Sequence, residues 1–239
     1  MKKVVKFGGS SLASAAQFKK AGHIIRQDES RRYVVPSAPG KRHPKDTKVT
    51  DMLYSCYLLA LREEDEEEQF EKLIQDIKAR YDEIILGLDL SLDLTAEFQV
   101  IRENFTRKIG RDYAASRGEY LNGIVMAEYL GCEFIDAADV IFFQESGDLD
   151  TEKTGRVLSE RLAGCERAVI PGFYGSLPDG RIKTFSRGGS DITGSIVARA
   201  VHADMYENWT DVSGFLVADP RVVKNPKAID VITYRELRE

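Results

Sequence analysis

Three short motifs, far apart in the chain, carry residue types suited to handling phosphate. The first is Lys6-Phe7-Gly8-Gly9-Ser10-Ser11, directly after the apolar pair Val4-Val5. The second is Phe185-Ser186-Arg187-Gly188-Gly189-Ser190-Asp191-Ile192-Thr193. The third is Trp209-Thr210-Asp211-Val212-Ser213-Gly214, continuing to Ala218-Asp219-Pro220-Arg221. The first two set paired glycines and a serine between an apolar strand-like run and a periodic apolar segment. A helix that starts there offers unpaired backbone N–H groups to an anion. Glycine lets the backbone approach an oxyanion closely, and a fixed cation, Lys6 or Arg187, neutralises charge on transferring oxygens. There is no Gly-x-x-x-x-Gly-Lys-Ser/Thr pattern, so the chain is not a P-loop nucleotidase.

Each residue also has a plainer reading. Lys6 alone is a lysine snorkelling from a strand end. Ser190 or Asp191 is a helix N-cap, Thr50 another, and Asp211 and Asp219 are turn residues. Glu119 alone is an exposed helix glutamate. His23, His43 and His202 have no metal-ligand spacing, and no direct protein ligation of a metal is expected.

The elements that must position these motifs follow an α/β rhythm. Residues 2–7 read as a buried strand, and Ser11 to Arg26 have helical spacing of Leu12, Ala15, Ala16, Phe18, Ile24 and Ile25. Tyr33-Val34-Val35 is a second strand. Strand, helix and strand with short connections favour a parallel sheet. Lys41 to Lys48 reads as a mobile basic loop beside the site, followed by a helix face of Leu53, Tyr54, Tyr57, Leu58 and Leu61. The acidic run from Glu63 to Glu68 reads as the polar start of the next helix, where negative charge suits the dipole. Residues 93–131 read as helical with a break at Gly110. Short strands are expected at Phe134-Ile135, Val140–Phe143 and Ala168–Ile170, a helix over Ile192–Val201, and a strand over Met205–Asn208.

Composition limits the function classes. The 239 residues suffice for one large α/β domain, and the chain has neither internal repeats nor a linker. A net charge of −5 argues against general nucleic-acid or acidic-membrane binding, so an anion site must be a local cationic pocket. Cys56, Cys132 and Cys165 are few, odd in number and widely spaced, as in a reducing compartment; a cytoplasmic location is expected. No apolar run reaches membrane-span length.

The sequences KFGGSS, SRGE at 116–119, SRGGSDIT at 186–193 and WTDVSG with ADPRVV strongly resemble the aspartokinases, members of the amino acid kinase family. The resemblance runs through the whole chain, with four motifs in the family's order. It implies a three-layer α/β/α sandwich around a mainly parallel sheet and phosphorylation of the aspartate side-chain carboxylate by ATP with Mg2+. It assigns Lys6, Gly8, Gly9 and Ser10 to ATP phosphates, and Thr210, Asp211 and Arg221 to the nucleotide loop. It assigns Thr50, Glu119, Arg187 and Ser190 to aspartate, with Glu119 on the ammonium, and Asp191 to organising the catalytic lysines. It further implies a homo-oligomer in the full-length protein. The chain reads as the catalytic domain, residues 1–239, cut within a starting helix at Tyr234–Glu239. A further family lysine and the regulatory domains would lie downstream, so little activity and no feedback inhibition are expected of this piece alone. Pro36, Ser186 and Gly194 depart from the family's commoner residues without removing a charge. The alternatives are a relative acting on glutamate, acetylglutamate or a nucleoside monophosphate, and an inactive nucleotide-binding module.

Overall fold

The structure, a computed structural model, describes residues 1–62, 66–186, 188–211, 214, 216–219 and 222–229. It divides into two units, Met1–Trp209 and Thr210–Glu239.

The first unit is built on a five-stranded parallel sheet. Its strands are β1 (Lys3–Phe7), β2 (Arg31–Pro36), β3 (Glu133–Phe134), β4 (Ala168–Val169) and β7 (Met205–Trp209), in the order β3-β4-β2-β1-β7. Between β4 and β7 the chain makes a small antiparallel hairpin, β5 (Tyr174–Ser176) and β6 (Ile182–Thr184). On one face lie α1 (Ala15–Arg26), α2 (Val49–Leu61), α3 (Glu67–Gly87), α4 (Thr95–Thr106) and α5 (Arg111–Leu130). On the other lie α6 (Ala137–Val140), α7 (Thr151–Ala163) and α8 (Gly189–Ala200). Strand alternation divides the core between them: Val5, Phe7, Val34 and Val169 join the α1–α5 cluster, while Val4, Tyr33, Val35 and Ala168 join the α7–α8 cluster. This is the three-layer arrangement expected.

The helices follow their apolar spacing. In α3, Phe70, Ile74, Ile77, Tyr81, Ile84 and Ile85 recur every three or four residues and are all buried. Helix α5 is buried on several faces because Ala114, Ala115, Ser116, Gly118 and Gly123 let neighbours approach closely. The expected break at Gly110 separates α4 from α5. Glu67 and Glu68 occupy the first turn of α3; Glu63, Glu64 and Asp65 lie outside the described residues.

Several expectations are corrected. The glycine loop after β1 enters a 3₁₀ turn, Gly9–Leu12, and α1 starts only at Ala15. Val140–Phe143 is not a strand. The Asp136 side chain accepts the N–H of Ala138 and starts the short α6, leaving Phe142 and Phe143 with isolated bridges to Ser176 and Leu149. Thr50 is not an N-cap, because Lys48 holds that position. Neither Ser190 nor Asp191 caps α8, which starts after Gly188 at φ 57°, a left-handed conformation that glycine adopts readily. In the Lys41–Lys48 loop, Arg42 pairs with Asp46 at 2.9 Å and with Glu83 at 2.9 Å.

In the second unit, Leu216 and Ala228 form an antiparallel bridge, with Val217 N–H donating to the Lys227 carbonyl at 3.0 Å. Tyr234–Glu239 lies outside the described residues.

Candidate active site

Lys6 shares its face of β1 with Val4, so its stem runs over α8. It is 8% exposed, and its Nζ lies 2.8 Å from Asp191 Oδ1 in the first turn of α8. Asn208 is the register partner of Lys6 on β7, and its Nδ2 donates to the same Asp191 oxygen at 2.9 Å. Two neighbouring strands thus aim two donors at one carboxylate at the head of a helix. The Asp191 side chain stays about half exposed, so the Lys6 ammonium is oriented yet close to solvent. The first N–H groups of α8 have no partners within the helix and add positive potential there.

The glycine loop is held by backbone bonds. Gly8 N–H donates to the Trp209 carbonyl at 3.1 Å, and Gly40 N–H donates to the Gly9 carbonyl at 2.8 Å. A Cβ on Gly9 would come within 2.7 Å of the Ala38 carbonyl oxygen, so only glycine permits this approach. Ser10 is exposed. Trp209 is half-buried against the core, stacked on Phe7 with centroids 6.2 Å apart.

A second cluster gathers where β2 ends. Glu119 on α5 is 6% exposed, which corrects the reading of an exposed helix glutamate. Its Oε2 is buried with no hydrogen-bond partner. Burial pushes its acid up to about 7, against the opposing effects of the Ala38 and Glu119 backbone N–H groups and the Arg117 charge. Beside it, Asn122 Nδ2 donates to the Ser37 carbonyl at 2.6 Å. A Cβ on Gly118 would meet the Ala38 side chain at 2.8 Å and the Val49 side chain at 3.6 Å. Val49 begins α2, and half-buried Thr50 follows it. Glu119, the Ser37–Ala38 segment and the start of α2 are therefore one packed group. Ser190 lies against Gly172, where an added Cβ would fall 2.5 Å from its hydroxyl.

Of the expected site residues, Lys6 and Asp191 are in direct contact, and Gly8 and Gly9 adjoin Lys6 in the chain. Thr210 and Asp211 are exposed members of the second unit, their side chains 3.1 Å apart. Arg187 and Arg221 lie outside the described residues. Sequence reasoning missed Asn208, which stands at the end of the strand expected over Met205–Asn208. The Gly194 departure has a local cause: the Tyr206 ring fills the space, and a Cβ there would fall 2.5 Å from it. Among the described residues, no three histidine, cysteine or acidic side chains converge on a metal position. None of the helices described is long and apolar enough to cross a membrane.

Aspartokinase 3 of Bacillus subtilis is 38% identical over 99% of this chain and 54% of its own length. The crystal structure of Clostridium acetobutylicum aspartate kinase superposes with a TM-score of 0.94 at 52% identity, covering 100% of this chain and 54% of that one. The Escherichia coli aspartokinase III complex with aspartate and ADP gives a TM-score of 0.77 at 26% identity, covering 96% and 54%. The chain thus spans about half the length of these relatives. The sequence profile described as "Amino acid kinase family" matches residues 1–239, every position that carries the sheet, both glycine loops and the Lys6–Asp191 pair, so the chain belongs to the amino acid kinase family.

Proposed function

We propose that this chain is the catalytic domain of an aspartate kinase, which transfers the γ-phosphoryl group of ATP to the side-chain carboxylate of L-aspartate. The observation that favours a free amino acid as the acceptor is Glu119. A buried carboxylate oxygen without a partner is costly unless a cation arrives to meet it. An amino-acid ammonium supplies that cation, whereas a nucleoside monophosphate would bring further negative charge.

The chemistry needs no strong base. The acceptor carboxylate is already ionised at pH 7, and one of its oxygens attacks the γ-phosphorus as the bond to the ADP oxygen breaks. The electron pair leaves on ADP and the product is an acyl phosphate. Catalysis then rests on positioning and charge. Lys6, oriented by Asp191 and Asn208, neutralises the transferring oxygens, with Gly8, Gly9 and Ser10 against the phosphates. Glu119 binds the ammonium, Thr50 and Ser190 offer hydroxyls to the acceptor, and Arg187 offers a fork to a carboxylate. Thr210, Asp211 and Arg221 belong to the nucleotide loop by their resemblance. Mg2+, when bound, supplies further neutralisation of phosphate charge. The ion would come in on the nucleotide phosphates, where it keeps much of its water shell. Membership of lysine and threonine biosynthesis, a cytoplasmic location and homo-oligomeric assembly of a longer parent protein complete the reading.

The test is an acceptor panel with Mg-ATP, following ADP release with aspartate, glutamate, acetylglutamate and nucleoside monophosphates, in the chain and in its parent protein. Aspartate alone should support turnover. Preference for another acceptor overturns the assignment, and nucleotide binding without turnover on any acceptor supports an inactive module.

A further inference from the structure

Helix α3 carries none of the motif residues, yet it spends two consecutive polar side chains on the site's backbone. Arg80 is 4% exposed. Its Nη2 donates to the Gly40 carbonyl at 2.9 Å and its Nη1 to the Thr47 carbonyl at 3.1 Å, with Asp46 Oδ2 also 3.1 Å away. Tyr81 is fully buried, and its hydroxyl donates to the Gly118 carbonyl at 2.8 Å. Successive residues on a helix point about 100° apart, so this pair reaches two different elements at once. Arg80 grips the loop from Gly40 to Thr47, while Tyr81 grips α5 one residue before Glu119.

What they grip defines the site on two sides. Gly40 is bonded to Gly9 of the glycine loop at 2.8 Å, and Val49 N–H to the Pro39 carbonyl at 3.2 Å. Gly118 abuts Ala38 and Val49. The space between the loop and α5 is therefore fixed from behind by α3. Burying a guanidinium whose Nε has no partner is a poor way to gain stability, because desolvation offsets the gain. Three oxygens from one loop, gathered by one rigid fork, suit a role in holding geometry.

We propose that Arg80 and Tyr81 are positioning residues that set the separation between the phosphate-side loop, Gly9 with Gly40, and the acceptor-side carboxylate, Glu119. This rests on the aspartate kinase reading for its kinetic consequence, but not for the brace itself. Neither residue touches a substrate; each acts through the backbone it holds.

The experiment uses the parent protein with Tyr81→Phe, Arg80→Met and Arg80→Lys. Three readouts are taken: melting temperature, hydrogen exchange by mass spectrometry, and steady-state kinetics with both substrates varied. Tyr81→Phe removes one hydroxyl and keeps the packing. It should raise the KM for aspartate about three- to tenfold, as expected for one lost hydrogen bond, with the KM for ATP within about twofold. Arg80→Met should lower kcat by about a hundredfold, the scale of an ångström misplacement of reacting groups. Arg80→Lys, which keeps one of the three contacts, should fall between. Exchange should quicken over residues 37–48 in Arg80→Met and over 116–120 in Tyr81→Phe. Folded variants with unchanged kinetics overturn the inference, as does an equal rise of both KM values. Unchanged exchange at those segments overturns it even if the wild-type protein proves inactive on aspartate, an outcome that would separately defeat the functional reading.

Discussion

Glu119→Gln should make the protein more stable and a worse kinase, and the two changes should have different pH dependences. In the free protein, burial lifts the Glu119 acid from an ordinary 4.5 to about 7. Between those values the folded state holds a proton that the unfolded state has lost. The unfolded state binds fewer protons there, so stability falls as pH rises from 4.5 through 7. A shift of this size corresponds to about 3 kcal/mol, present as a penalty above pH 7 and absent below 4.5. The glutamine variant carries no such penalty. Its stability advantage over wild type should grow by up to about 3 kcal/mol between pH 4.5 and pH 8, or roughly 6–12 °C in melting temperature for a chain of this size. The same substitution removes the charge proposed to meet the aspartate ammonium. A charge-assisted hydrogen bond is worth about 1.5–3 kcal/mol, so the KM for aspartate should rise roughly 10- to 100-fold while that for ATP hardly moves. Melts of both proteins across pH, with aspartate and ATP kinetics at pH 8, give the two quantities. A stability difference independent of pH would refute the burial argument, and equal effects on both KM values would refute the substrate contact.

Lys6→Met should leave a folded protein and lower kcat by about two to three decades, since one cation on the transferring phosphoryl is worth roughly 3–4 kcal/mol; unchanged turnover would remove Lys6 from the chemistry. Arg187→Lys should weaken aspartate use about tenfold or more, because an ammonium does not reproduce a two-pronged fork; an unaffected KM for aspartate would count against that role. Gly194→Ala should destabilise by about 1–3 kcal/mol through overlap with the Tyr206 ring, and Tyr206→Ala should relieve it; denaturant titration of the single and double variants checks the coupling.

What could be read from the sequence, and what could not, divides along physical lines. The opening strand follows from its apolar run and the break before α5 from one punctuating glycine, Gly110, which are local signals. The short α6 was hidden because Val140-Ile141-Phe142-Phe143 is rich in residues that favour strands. The deciding feature was one bond from the Asp136 side chain to Ala138, upstream of that run. The hairpin β5–β6 has strands of three residues each, too short for alternation to be visible. Lys6 and Asp191 were legible as chemistry from their glycine-rich settings. Asn208, Arg80 and Tyr81 were not, because each acts on a group from 17 to 40 residues away and no local pattern announces such a contact. The burial of Glu119 was likewise invisible, since its helix is small and polar at that point and buries residues on several faces.

The central claim is that the acceptor atom is a side-chain carboxylate oxygen of aspartate. Running the protein with Mg-ATP, aspartate and hydroxylamine tests it, because hydroxylamine traps an acyl phosphate as a stable hydroxamate. The account predicts one aspartate side-chain hydroxamate for each ADP released, with Lys6→Met strongly reduced in both. ADP release without hydroxamate, or hydroxamate formed on another acid in preference to aspartate, would contradict it.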